Sequence, residues 1–190
     1  KIMPDIDIDF VNRDEALKHF KHIRASRIDD NKLVKHNTGV YMHEVPVNAE
    51  TNLCAIPHKE AEDVGYFKLD FLNVGIYKDV KDEKHLDELI EKEPVWELLL
   101  EDDFTDLLFH VNGHGDLLRK LRPDTVEKLA AVLAMIRPAK RHLVDEGWNI
   151  IMSEVWNKPS DDAYFFKKSH ATAYALAVKV QMNLLSEGVK

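Results

Sequence analysis

Asp5, Asp7 and Asp9 stand at alternate positions in the run Met3 to Phe10, with Ile6, Ile8 and Phe10 between and after them. Successive side chains of an extended chain point to opposite faces, so this alternation predicts a strand with one acidic and one apolar face. Carboxylates about 7 Å apart on one face repel, and aspartate is a poor strand former, so such a row calls for a compensating charge. A divalent cation is the natural one, because Mg²⁺ takes a few carboxylate oxygens together with water and substrate phosphate. A further aspartate falls in Lys68-Leu69-Asp70, inside the alternating run Gly65 to Leu72. If that strand lies beside the first, Asp70 joins two of the first three in the carboxylate cluster used for two-metal phosphoryl or nucleotidyl transfer. The competing reading is an edge strand whose charged face discourages aggregation.

The elements that must carry these groups follow from periodicity. Asn12 is placed to cap a helix running to about Arg24, with Ala16, Leu17 and Phe20 on its apolar stripe and a polar connection from Ser26 to Lys32 behind it. Val40, Met42 and Val45 to Val47 suggest a second strand or a hairpin before the turn-forming Asn48 to Asn52. After Asn73 the pattern is helical: Val74 to Lys92, Pro94 to Glu101, Phe104 to Val111, Asp116 to Leu121, Thr125 to Ile136, Ala139 to Glu146, Asn149 to Trp156 and His170 to Ser186. Asp124 with Glu127 resembles a capping box, and Arg137-Pro138 ends the same helix, since proline disfavours helical geometry in the residue before it. The fold class is therefore α+β: a small mixed sheet over residues 1–75 and a mainly helical part over 76–190 expected to pack on it.

A chain of 190 residues suits one domain, or one with a helical annex. Its 26 Lys and Arg against 34 Asp and Glu give a formal charge of −8, which argues against coating nucleic acid through bulk charge and leaves local or metal-mediated contact. Cys54 is alone, so no internal disulfide or cysteine-rich zinc site is available, and a reduced, cytoplasmic setting is expected. No apolar run nears the roughly 18 residues of a membrane helix. Residue 1 is Lys, not Met, so the lack of an N-terminal feature carries little weight. His19 with His22, and His110 with His114, have helix-compatible spacing but no evident third ligand for zinc. Trp96, Trp148 and Trp156 sit at apolar helical positions and are expected in the core.

PDIDIDF at 4–10 resembles the palm motif that carries the first two catalytic aspartates of the C-family DNA polymerases, the α subunit of bacterial DNA polymerase III and its relatives. In the same order, LVKHNTGVYM at 33–42 is similar to the family's Lys-His-x-x-Gly-Val segment, and VGYFKLDFLNVGIY at 64–77 to its Lys-x-Asp-Phe-Leu-Gly strand. DLLRKLRPDTVEKLAAVLAMIRP at 116–138 resembles the helical stretch ending in Arg-Pro-Gly, and FFKKSHATAYAL at 165–176 the Lys-Ser-His-x-Ala-Ala-Tyr-Ala segment.

The resemblance implies a nucleotidyltransferase-like palm in which Asp7 and Asp9 are the metal pair and Asp70 the third catalytic carboxylate, with Asp5 on the same face as a further candidate ligand. It implies two Mg²⁺ ions, for which Mn²⁺ could substitute, with DNA and a nucleoside triphosphate as partners in DNA replication. Lys68 would contact phosphate, as would Lys168, Ser169 and His170, which combine a cation, a hydroxyl, an imidazole and a helix start. On the residues alone, Ser169 reads as a helix cap with Lys167 and Lys168 solvated. The chain departs from the family in its short intervals between motifs, which leave out most of the fingers, and it begins after the family's Gly-Ser-rich triphosphate loop. Ala139 and Asn73 replace two family glycines. A catalytically reduced, phage-encoded relative that binds nucleic acid, nucleotide or a host or phage replication protein in the host cytoplasm is the alternative. Phosphodiester hydrolysis at the same carboxylates is a third.

Overall fold

The computed structural model describes residues 6–159 and 165–188, and Asp5 lies outside them. The chain forms two compact units, Lys1–Lys78 and Asp79–Lys190. It is a mixed α and β structure built on one mixed five-stranded sheet.

In the first unit, β1 (Ile6–Phe10) leads into the short helix α1 (Arg13–Leu17), whose Asn12 cap accepts from the amides of Asp14 and Glu15. β2 (Ile23–Asp29) and β3 (Lys32–Tyr41) form an antiparallel hairpin. β4 (Leu53–Pro57), the helix α2 (His58–Asp63) and β5 (Leu69–Asn73) complete the unit. The strand order is β1-β5-β3-β2-β4, with β1/β5 and β2/β4 parallel and the two inner pairs antiparallel.

The helix after Asn12 stops at Leu17, and Ile23 and Arg24, expected near its end, begin β2. The segment expected as a polar connection is a strand turned by Asp30 and Asn31, both with positive φ (46° and 59°), a two-residue turn whose twist suits an antiparallel hairpin. β4 is a further element beyond those expected from the sequence. It pairs in parallel with β2, and a parallel partnership leaves no local turn signal.

The alternation in β1 does divide the sheet. Ile8, Phe10 and Leu69 pack against a buried cluster of Leu17, Val40 and Phe71. A second cluster joins Ala25, Tyr41, Cys54 and Ala61 of α2.

The second unit contains α3 (Glu83–Glu91), α4 (Asp102–Thr105), α5 (Gly115–Leu121), α6 (Val126–Met135), α7 (Trp148–Glu154) and α8 (Lys168–Ser186). The span expected as one helix from Val74 is broken: a 3₁₀ turn covers Gly75–Asp79, and Asp82 restarts the chain as α3 by accepting from the His85 amide at 2.8 Å. The spans expected as helices near Trp96 and Ala139 are 3₁₀ segments, Trp96–Leu100 and Pro138–Asp145. The cap of α6 is Thr125, not Asp124, with its hydroxyl accepting from Lys128 N at 3.2 Å. α6 is buried from Leu129 to Met135 and packs with Ala171, Ala175, Val178 and Met182 of α8 into one core, against which the three tryptophans lie. Among the described residues no helix is long and apolar enough to cross a membrane.

Candidate functional site

β1 and β5 run parallel in a register that makes Asp7 the partner of Asp70, and Asp9 the partner of Leu72. Register partners share a face and adjacent strands lie about 4.8 Å apart, so Asp7, Asp9 and Asp70 occupy the face opposite Ile8, Phe10 and Phe71. Groups more than 60 positions apart in the chain therefore meet on one side of the sheet. The strand ends are tied together as well: Val74 N donates to Phe10 O at 2.8 Å, and Asn73 Oδ1 accepts from Arg13 N at 2.8 Å. Asn73 thus holds the start of α1 against the end of β5.

Asp70 is held by groups from its own strand region and from β3. Thr38 donates its hydroxyl to Oδ1 at 2.7 Å, and Lys68 Nζ forms an ion pair with Oδ2. The His36 ring is 3.9 Å from Oδ1. Lys68 stands two residues before Asp70 in the chain, whereas Thr38 and His36 arrive through an irregularity in β3. The β2/β3 register runs from Arg24↔Val40 to Ser26↔Lys35, so the chain from His36 to Gly39 bulges out of the ladder. The bulge is fastened from within, because His36 Nδ1 accepts from Gly39 N at 2.9 Å and Thr38 N at 3.3 Å. Such a bulge re-aims side chains, here Thr38 and His36 toward Asp70.

The electrostatics follow from this crowding. Burial, then the Lys68 charge, pushes the His36 imidazole down to about 4, so the ring is neutral at pH 7. A neutral Nδ1 is what the two amide donors require. His58, whose ring centroid is 4.7 Å from that of His36, is also shifted down, mainly by burial. Asp9 keeps solvent contact, yet partial desolvation and then the Asp7 charge raise its carboxyl above the usual range. Tyr41 is raised to about 12, chiefly by burial.

As donors, the carboxylates suit a hard divalent ion: Asp7 and Asp9 crowd one another, and a cation beside them would reverse the upward shift of Asp9. They are not drawn into a closed ligand shell. Among the described residues no three His, Cys, Asp or Glu side chains are grouped to hold one ion, and the Asp70 oxygens are engaged by Lys68 and Thr38. Asp70 would have to give up Lys68 to ligate.

Lys168, Ser169 and His170 belong to the second unit, where they open α8. The cap position is Lys167, without a side-chain cap hydrogen bond, so the reading of Ser169 as the cap is corrected. The His170 ring stacks on Phe166, centroids 6.3 Å apart and 13° between planes. Thr38 and His58 join the site only through the fold. Thr38 falls at an unspecified position between His36 and Gly39, and neither it nor His58 carries a sequence signal of its own.

No protein-family model, no curated protein and no solved structure matches the chain.

Proposed function

We propose that the chain is a compact, Mg²⁺-dependent nucleotidyltransferase of the DNA-polymerase palm type, acting in DNA replication. The observation that carries the reading is the register of β1 on β5, which sets Asp7 beside Asp70 with Asp9 on the same face. Two Mg²⁺ ions, or Mn²⁺ in their place, would supply Lewis-acid activation of a 3′ hydroxyl and neutralise the departing pyrophosphate. Asp7, Asp9 and Asp70 are the residues that would hold them. Thr38 fixes the orientation of Asp70 through Oδ1, and Lys68 is a cation able to pass from Asp70 to an incoming phosphate. Lys168, Ser169 and His170 enter as phosphate contacts on the resemblance alone.

A second reading is favoured by the Lys68–Asp70 ion pair, which already neutralises the third carboxylate. A reduced relative that binds nucleotide, nucleic acid or a replication protein without turnover needs nothing more. Calorimetry with Mg²⁺ and a deoxynucleoside triphosphate, followed by primer extension, tests the first reading. Nucleotide binding that requires Mg²⁺ and is lost in Asp7→Asn and Asp70→Asn supports catalysis when extension accompanies it, and the binding module when it does not. Unchanged Mg²⁺ and nucleotide binding in both variants would sink the metal-site reading.

A further inference from the structure

In the second unit a polar cavity of about 200 Å³ lies between the loop of Phe109 to His114, the end of α6 and Phe166. Arg137 lines it, set in extended backbone by Pro138 behind it. Its guanidinium lies 5.3 Å from the Phe166 ring centroid, and its Nε is buried without a hydrogen-bond partner. Among the described residues no carboxylate pairs with this half-buried guanidinium, which is always charged. Asp106, the carboxylate held by the loop, accepts from Gly113 N at 3.2 Å and does not line the cavity.

Facing Arg137 are further polar groups. His110, His114 and the exposed Asn112 line the same space. His110 has a left-handed backbone (φ 61°), a conformation that side-chain-bearing residues adopt at a cost and that clusters at binding sites. Its ring is braced by Phe109 at 3.9 Å and Tyr174 at 4.3 Å between centroids. Burial, then the Arg137 charge, lowers its pKa, which leaves a neutral imidazole able to donate one hydrogen bond.

We infer that this cavity is an oxyanion site of the phosphate class, with Arg137 as its charged anchor and His110, His114 and Asn112 as surrounding donors. The fork of a guanidinium fits two phosphate oxygens, and donors spread around the cavity suit a tetrahedral anion better than a planar carboxylate. At roughly 30 Å³ per water, the space takes one phosphate group with a few waters. The inference does not rest on the proposed carboxylate chemistry, whose residues belong to the other unit.

The test uses the full chain in EDTA, with imidazole NMR and calorimetry as readouts and inorganic phosphate, dATP and acetate titrated separately. Phosphate is expected to move the His110 and His114 resonances saturably, with acetate binding more weakly. Tighter binding of dATP than of free phosphate would identify a nucleotide's terminal phosphate as the source, and equal binding the free ion. Arg137→Met should weaken binding about ten- to hundredfold, the range for a charge-assisted contact. Should that variant not fold, Asn112→Asp, a change at an exposed rim residue, must produce a loss of similar size by repulsion. The inference is overturned if neither phosphate source shifts the His110 and His114 resonances, or if Asn112→Asp binds as well as the parent. Because EDTA removes divalent ions, Asp7→Asn must leave this binding intact even if nucleotidyl transfer proves wrong.

Discussion

Gly39 is where the fold and the candidate site depend on the same small volume. A Cβ added there would sit 2.6 Å from Lys68 Cδ, 2.9 Å from His36 Nδ1 and 3.0 Å from Ala25 Cβ. Lys68 can swing away, at the expense of its ion pair with Asp70. The His36 ring cannot, because it accepts from the Gly39 amide itself, and Ala25 is fully buried. Replacing glycine with alanine in a permissive strand stabilises by about 0.4–1 kcal/mol through the unfolded chain, whereas forcing a methyl into packed space costs about 1–3 kcal/mol. With contacts this short on a ring and a buried methyl, the cost wins, and Gly39→Ala is expected to destabilise the first unit by about 1–2 kcal/mol. For a unit of this size that is a fall in Tm of at least about 4 °C. Urea denaturation monitored with site-specific probes in Lys1–Lys78 measures it. Lys68→Ala in the same chain should recover part of the loss, since it removes the nearest of the three obstacles. A Gly39→Ala protein as stable as the parent would refute the bulge packing, and with it the placement of His36 and Thr38 at Asp70.

The remaining predictions concern pH and the helical unit. His36 falls from the ordinary 6.5 to about 4 in the folded chain, so below pH 6.5 the unfolded state takes up a proton that the folded state refuses. Its contribution is complete above pH 6.5 and lost as the pH falls through 4, amounting to about 3 kcal/mol at 1.36 kcal/mol per unit. His58, shifted the same way, adds to it. The urea midpoint should drop between pH 7 and pH 5, and less so in His36→Gln; equal slopes in the two proteins would contradict the assignment. In the second unit Asn183 is buried and donates Nδ2 to Leu89 O and Lys92 O, both at 2.9 Å, closing the end of α3. Asn183→Ala strands both carbonyls and is expected to cost about 2–4 kcal/mol in chemical denaturation, while a cost below about 0.5 kcal/mol would show that water satisfies them.

Local pattern carried some elements and failed others for identifiable reasons. The Asp/Ile alternation marked β1, and the apolar density of 126–135 marked α6, because each pattern repeats at the period of its own backbone. Helical propensity in Ala16 and Leu17 was extended too far, since Ile23 to Asp29 gains more from pairing with two strands than from continuing α1. The Asp30-Asn31 turn was readable, as both residues tolerate left-handed backbone, but a polar stretch without glycine looked like a plain loop. Thr125 displaced Asp124 as a cap by one position, a difference of backbone geometry that composition does not distinguish.

Residue type and period alone determined that the opening strand has an acidic face, that Asp70 lies on a strand of its own, and that residues beyond the sheet are helical. Only the tertiary structure decided that β5 and not another strand lies beside β1, in the register that pairs Asp7 with Asp70. Strand order is set by the burial of Phe71, Val40 and Leu17 together, a sum over contacts distant in sequence. The tertiary structure also brought Thr38 and His36 to Asp70, beside the Lys68 that stands two residues before it in the chain, because a bulge trades ladder hydrogen bonds for side-chain ones, and that exchange is settled by neighbours on other strands.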